Sequence, residues 1–488
     1  MGTVIHAEFN RKDEEIEAAE ANLREALRRV VELKVGPDAS FAEKEKATLE
    51  VSNEASRRYF EQTLQEMSDA YDDRLLIDGV LYKRSHKPNE GKYHSLCGML
   101  NVSRATYRKA GERNGPTIVP LEKEAGLAEN ATPALCYSIA HDYAEGTSRQ
   151  YVESMAAAYR VVPSRSTVER IGKALGTEAN KAAPSILRYL RLGEKVPDEA
   201  MAISIGLDRT TVPYEEKREE GAPPTTRRKK RTKPYVRKPP DPVDVKYRQD
   251  YVGTFTLTDV NGEKLVTRKY AATQQQGPEG IVKQLMADTR SAKLQRPDLN
   301  VGVVQDGAPE LWNLMRDALR VETSVSEYAE GIDRFHLSVR LADALNVVES
   351  DAECRMQILM QWELELDEDN DAIVGIYENI FEYESKYTGK DKDTLSSTLT
   401  YIENNYDRMQ YATLRALGLP VGSGVTEGAC KSLVGSRFKR SGQRWHPPGV
   451  SAVFTLRSIL HSERLPRFWG HLHRRYIATV EPVEEVAA

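Results

Sequence analysis

A chain of 488 residues, with 40% hydrophobic and 29% charged residues, is too long for one compact core, so two to four structural units are expected. No run approaches the eighteen or more apolar residues of a membrane helix, and MGTVIHAEFNRKDEE lacks the basic, apolar and small-residue succession of a secretory signal, so a cytoplasmic protein with no membrane partner is expected. Cys97, Cys136, Cys354 and Cys430 lie far apart without a C-x-x-C pair, which argues against a zinc ribbon and a disulfide framework.

The net charge of -5 hides strong local patches. The stretch RRKKRTKPYVRK, residues 227–238, carries eight Lys or Arg and no acid, and residues 427–476 carry ten against two acids. Compensating acids lie in the N-terminal segment and in 363–393. Basic faces attract phosphate backbones even on an acidic chain.

Residues 1–75 predict a helical hairpin with a turn near Gly36-Pro37, either packed on the chain or serving as a self-associating arm. Residues 76–131 change to short apolar runs between turn residues and predict a small β module, although LCGMLNVSRATYRK also fits half of a helix-turn-helix. Within 132–198, Thr147 or Ser148 caps one helix and Ser164 a second, with a break at Val162-Pro163. That layout is a helix-turn-helix pattern, whose second helix would offer Arg165 and Arg170 to base edges in a major groove; an ordinary helical hairpin fits equally.

From residue 199 the pattern becomes α/β. AMAISIGLD is a short apolar strand ending in an acid; two strands follow, joined by the Asn261-Gly262 turn. A helix leads to NVGVVQDGA, a buried strand ending in a second acid, which closes the first part of this domain at 308. Residues 213–243, rich in Pro, Lys and Arg, read as a mobile basic loop, including Arg227, Arg228, Lys229, Lys230 and Arg231 as DNA contacts. Residues 309–418 read as helical throughout, residues 419–476 complete the α/β domain, and 477–488 form a disordered tail.

Two strand-terminal acids joined by a third acid on a helix over the sheet describe the metal site of ribonuclease H-like enzymes. Asp208 and Asp306 end apolar strands, and Glu427 falls in the first turn of its helix. Two Mg²⁺ ions held by carboxylates about 3.5–4 Å apart activate the attacking oxygen and stabilise the leaving oxygen of a phosphoryl displacement. Beyond Glu427, the residues Lys431, Arg437, Lys439, Arg440 and Arg444 are spaced to meet phosphates. Trp445 is poised between stacking on an unpaired base and packing.

The block GSGVTEGACKSLVGSRFKRSGQRWHPPGVSAVFTLRSILHSERLPRFW resembles the C-terminal signature of bacterial insertion-sequence transposases of the Kra type, which belong with the Mutator-like and hAT-like DDE transposases. The resemblance covers roughly residues 90–470. It implies an α/β, RNase H-like catalytic domain interrupted by an all-helical insertion and preceded by helical and small β modules. It also implies that the glutamate after G-S-G, Glu427, and the aspartate of D-G-A, Asp306, are metal ligands beside Asp208, where Arg209 follows in place of the family's small residue. The D-x-x-H of IDRFHL, Asp333 and His336, matches an element the wider superfamily carries near its active site, which adds His336 to the catalytic set. The implied function is metal-dependent cleavage at the ends of an insertion sequence and 3′-hydroxyl strand transfer into target DNA. Two Mg²⁺ ions serve it, with Mn²⁺ as a substitute. Double-stranded DNA is the partner, a homodimer or larger assembly the working form, and the bacterial nucleoid the location. A domesticated DNA-binding regulator and a structure-selective nuclease of the same fold are the rival readings.

Overall fold

The computed structural model describes residues 2–85, 87–161, 163–217 and 243–483, with side chains from residue 15 onward. The basic stretch 227–238 therefore lies outside the described residues, as do Val162 and residues 484–488. The fold is mixed α/β and divides into two compact units, residues 1–175 with 469–488, and residues 176–468.

In the first unit α1 (Gly2–Val35) and α2 (Phe41–Asp69) form the expected hairpin. The chain turns at Gly36, whose φ of 87° suits glycine, and Ser40 with Glu43 closes a capping box at the start of α2. Strands β1 (Arg74–Ile77), β2 (Val80–Arg84), β3 (Asn89–Ser95), β4 (Gly98–Arg104), β5 (Tyr107–Lys109) and β6 (Thr117–Ile118) follow. β3 and β4 pair as an antiparallel hairpin and β5 pairs with β2, so the segment that also fitted half of a helix-turn-helix is strand, β4 followed by β5. Leu64 of α2 buries against Tyr93, Leu100 and Val102 of that hairpin, with Leu121 of α3 (Pro120–Glu124) in the same core.

Helices α4 (Pro133–Glu145), α5 (Ser148–Ala157) and α6 (Arg165–Leu192) come next. Thr147 and Gln150 make the expected capping box on α5, and the Ser164 hydroxyl accepts from the Thr167 amide at 3.3 Å where α6 begins. α6 runs for 28 residues, and the division between the units falls inside it.

The second unit is built on a five-stranded sheet of β7 (Ala202–Lys217), β8 (Val243–Thr258), β9 (Lys264–Ala272), β10 (Asn300–Gln305) and β11 (Ala329–Ile332), ordered β11-β10-β7-β8-β9. β7, β8 and β9 are antiparallel neighbours, whereas β10 and β11 run parallel to β7. Helix α7 (Glu279–Gln295) links β9 to β10, and α8 (Pro309–Arg320) links β10 to β11.

Two boundaries differ from expectation. The β7 strand continues nine residues past Asp208, and residues 213–217 and 243 are strand rather than loop. Val212, Pro213 and Tyr214 are all buried there, and Glu216 pairs across the ribbon with Arg248 at 2.6 Å. The segment after 309 is not wholly helical, because β11 adds a parallel edge strand to the sheet. Its four residues, AEGI, are too few to carry a strand periodicity in sequence.

Beyond β11 the chain is helical through α9 (Arg334–Val348), α10 (Ala352–Glu368), α11 (Ala372–Glu384), α12 (Lys390–Asn405) and α13 (Tyr411–Ala416). It returns to the sheet with α14 (Gly424–Ala429), a π-helical stretch Cys430–Gly435, α15 (Ser436–Phe438) and α16 (Pro447–His461), and then α17 (Leu465–Arg474). A buried ionic cluster ties these layers to β9. Arg191 and Arg464 both meet Asp288, at 2.6 and 3.0 Å, and Arg464 also meets Glu194 at 2.7 Å. Burial disfavours each charge, and the mutual pairing and hydrogen bonding restore it. Within the segment expected to be a disordered tail, β12 (Val480–Pro482) pairs antiparallel with β1.

Candidate active site

The backbone register brings the first two acids together. Along the parallel pair, Asn300 lies opposite Ala202 and Val303 opposite Ile205. That is the last β7–β10 pair; Asp208 and Asp306 each follow it by three residues, and the Asp306 charge acts on the Asp208 carboxyl. Asp208 is not at a strand end, as the sequence suggests. It sits within β7 just beyond the point where pairing with β10 ceases, while Asp306 directly follows the last residue of β10. Pairing stops at Asp306 because the chain turns into α8. The Asp306 carboxylate accepts from the Ala308 amide at 3.3 Å, and its carbonyl from the Trp312 indole at 2.7 Å.

The third acid arrives on α14, which packs closely on the sheet. A Cβ at Gly206 would stand 2.1 Å from the Thr426 hydroxyl, so glycine is what admits the helix. Thr426 and Thr254 of β8 share a hydrogen bond of 2.7 Å at the same place. Alternation along β7 puts Asp208 on the face of Gly206, and Glu427 adjoins Thr426. Glu427 is approached by the Ser423 hydroxyl at 3.5 Å and by Lys431 at 3.7 Å.

Two polar fixtures hold this segment. Asp333, 1% exposed, caps α9 by accepting from the His336 amide at 2.9 Å, and its other oxygen accepts from the Ser423 amide and hydroxyl, at 2.5 and 2.6 Å. One carboxylate thus fastens the start of α9 to the residue that precedes α14. Burial alone would raise its pKa; the hydrogen bonds from Ser423 and His336 outweigh that and hold it below the usual carboxylate range.

The second fixture is Arg457 of α16, which has no exposed surface. Its guanidinium donates to the carbonyls of Leu433, at 2.7 Å, and Ser432, and to the Ser436 hydroxyl at 3.0 Å. Those carbonyls belong to the π-helical stretch, whose wider turns change the backbone bonding pattern. From the same stretch the Cys430 thiol donates to Asp208 at 3.3 Å, and burial pushes that thiol's pKa far up.

The electrostatics favour a cation. Asp208 has its pKa raised, first by burial and then by the charges of Asp306 and Glu427, against hydrogen bonds from the Arg209 amide and Cys430. Asp208, Asp306 and Glu427 offer only oxygen donors, the chemistry that Mg²⁺ or Mn²⁺ takes. Among the described residues, the one group of three whose ligand atoms all lie within 4.8 Å of one another is Asp333, His336 and Glu427; Asp208, Asp306 and Glu427 are not drawn that close together. Asp333 is poorly suited to a metal there, since its two oxygens already accept three hydrogen bonds. His336 is half exposed, with Nδ1 at 3.2 Å from Asp333.

The basic residues expected to meet DNA divide into two groups. Lys431, Lys439 and Arg444 are exposed and Arg440 is partly so. Lys439 donates to Thr210 at 2.7 Å and Arg444 lies 3.6 Å from Glu215. Arg437 departs from expectation: it is buried, with its guanidinium 4.7 Å from the centre of the Trp445 ring, and so it offers no surface to a phosphate. The π-helical stretch explains this, because an extra residue in a turn rotates later side chains away from α-helical phase. Trp445 packs 4.5 Å from Phe438 and exchanges backbone hydrogen bonds with Pro213 and Glu215, which favours packing over stacking on a base. In the other unit Arg165 is exposed, and Arg170 pairs with Glu129. Arg227, Arg228, Lys229, Lys230 and Arg231 lie outside the described residues.

No protein-family model matches the chain, and no curated protein does. Among solved structures it is similar to the Drosophila P element transposase strand transfer complex, at 12% identity and a TM-score of 0.23, over 70% of this chain and 83% of that one. Among the described residues no helix is long and apolar enough to cross a membrane.

Proposed function

We propose that the chain is a DNA transposase of the DDE type, in which Asp208, Asp306 and Glu427 hold two divalent ions at an RNase H-like sheet interrupted by a helical insertion. The observation that supports this reading is that Asp208 and Asp306 each follow the last β7–β10 pair by three residues, with the charges of Asp306 and Glu427 both acting on Asp208 and the Glu427 helix seated on the sheet through Gly206. The strand order supports the fold assignment: three antiparallel strands are followed by two that run parallel to the first, beside it and outward.

Two divalent ions, when bound, would supply Lewis acidity to the attacking and leaving oxygens of a phosphodiester. The protein's own part is to fix the three carboxylates. Asp333 and Arg457 do so at a distance, by immobilising the two ends of the segment that carries Glu427. Lys431 and Lys439 lie beside the acids, where ammonium groups suit phosphates of the bound strands. Because the nucleophile is a water or a DNA 3′-hydroxyl, no nucleophilic side chain is required. Duplex DNA bearing the element's terminal repeats is the substrate in this reading, and a dimer or larger assembly would hold two ends together.

Purified protein incubated with labelled element-end DNA and Mg²⁺ tests the proposal. Release of a 3′-hydroxyl end and its joining to a second duplex is expected. In Asp306→Asn or Glu427→Gln, each nearly isosteric but one charge short, cleavage should fall on the order of 10³-fold, about 4 kcal/mol of barrier, while end binding persists. Cleavage without joining would point to a nuclease, and binding without either to a regulator.

A further inference from the structure

Beside the acids, on the side of the helical segment, lies a cleft of about 740 Å³ whose basic lining no part of the proposed chemistry uses. It is lined by Asp306, Gly307 and Ala308 together with His336, Arg340, Tyr401, Arg408 and Arg316 of α8. Three guanidiniums thus face one space that contains a single carboxylate, Asp306.

Arg316 and Arg408 are held by Glu330, onto which Arg316 forks with both Nε and Nη2 while Arg408 lies 3.6 Å away, and the Asp407 charge acts on both. Arg408 also stacks 4.7 Å from the centre of the Trp312 ring, and that indole donates to the Asp306 carbonyl. Burial and the nearby Arg316 charge hold the Arg408 pKa below its ordinary value. Arg340 lies 4.3 Å from the Tyr401 ring centre and donates weakly to Ser397, at 3.4 Å; among the described residues it has no carboxylate partner. Asn313 and Asn404, both exposed, add amide donors to the rim.

Donors of this kind select an anion over a base. A guanidinium presents a planar fork matched to two phosphate oxygens. The aromatic faces in the cleft are already covered: Trp312 is 1% exposed, and Arg340 lies over Tyr401. Only the half-exposed His336 imidazole is left to meet a base.

We infer that this cleft is a phosphate subsite, taking a backbone phosphate of the DNA strand adjacent to the bond cleaved at Asp306, with Arg340 as its principal ligand and Arg408 and Arg316 behind it. The inference rests on the transposase reading for the identity of the strand, and on the cleft alone for the chemistry.

The two are separated by probing the full-length protein, without divalent metal, with thymidine 3′,5′-bisphosphate and with unphosphorylated thymidine, by isothermal calorimetry. The bisphosphate is expected to bind and thymidine not to compete. Arg340→Gln should weaken bisphosphate binding by about tenfold or more, the usual scale for losing a charge-assisted contact, Arg340→Lys should restore part of it, and Asp306→Asn should leave it unchanged or tighter. Equal affinity in wild type and Arg340→Gln would overturn the inference, as would competition by thymidine. Thermal melting of each variant, expected to match wild type because Arg340 is half-buried and carboxylate-free, guards against a folding defect. Failure of Asp306→Asn to impair DNA cleavage would instead strike the transposase reading and leave the cleft intact.

Discussion

The two sheet acids and the helix acid reach the same site by different physical means. In the proposed site Asp208 and Asp306 each lie three residues beyond the last pair of one parallel register, so the strands carry both toward the same end of the sheet. Glu427 lies on a six-residue helix followed by a π-helical stretch, too short to hold its own geometry, and relies on two buried polar groups from elsewhere, Asp333 and Arg457. Local backbone pairing therefore secures two thirds of the site, and long-range side-chain bonding the rest. Damage to the second kind should disturb chemistry and stability together, whereas damage near the sheet acids should separate them.

The strongest way to break the contrast is Asp333→Ala. It leaves the Ser423 amide and hydroxyl and the His336 amide without their acceptor. A stability loss of about 3 kcal/mol is expected, with a fall in cleavage at temperatures where the variant is still folded; urea unfolding and a cleavage assay on one preparation check both. Asp333→Asn, which keeps one good acceptor, should lie between.

Arg457→Lys comes next. A single ammonium cannot reach both carbonyls and the Ser436 hydroxyl in the planar arrangement the guanidinium uses, so a loss of about 2–3 kcal/mol is expected. Cleavage should fall with DNA binding retained. If cleavage is unchanged while stability drops, Arg457 supports the fold without positioning Glu427.

A smaller effect sharpens the sheet side. Asp250 of β8, wholly buried, accepts from the Tyr214 hydroxyl at 2.7 Å and the Gln274 amide at 2.9 Å. Burial nevertheless pushes its pKa up to about 6. The native state then binds more protons than the unfolded chain between the ordinary aspartate value and that pKa, so stability is greatest below the lower limit and declines as pH rises to about 6. Asp250→Asn should remove this decline, gaining up to about 2 kcal/mol over wild type at pH 7.5 and nothing at pH 4. Urea midpoints at the two pH values measure it; a wild-type midpoint that rises over this interval for want of any change in the variant would contradict the assignment.

How much of this was legible in the sequence follows the same division. The caps at Thr147 and Ser164 are local patterns, and local patterns survive into structure; Asp306 follows the buried strand β10 and Glu427 lies in the first turn of α14, as their local sequences suggest. The length of β7 was missed because basic and proline-rich residues beyond 217 colour the segment before them, although Val212, Pro213 and Tyr214 are all buried. β11 escaped notice because four residues set no period. Asp333 was noticed only as half of D-x-x-H; its second role, at Ser423, lies 90 residues away, and Arg457 meets its carbonyls through tertiary packing that one sequence does not reveal. Arg437 was misread for a different reason: regular helical spacing was assumed across a stretch that is π-helical.

The most direct measurement of the central claim is Mn²⁺ binding, followed by electron paramagnetic resonance, in wild type and single variants of the acids and of His336. The account predicts that Asp208→Asn, Asp306→Asn and Glu427→Gln each weaken Mn²⁺ binding at least about tenfold, while His336→Ala, at a half-exposed position, leaves it within about threefold. Tight Mn²⁺ binding that survives loss of Asp208 and Asp306 but disappears in His336→Ala would place the metal at Asp333, His336 and Glu427 instead, and would contradict the three-acid site.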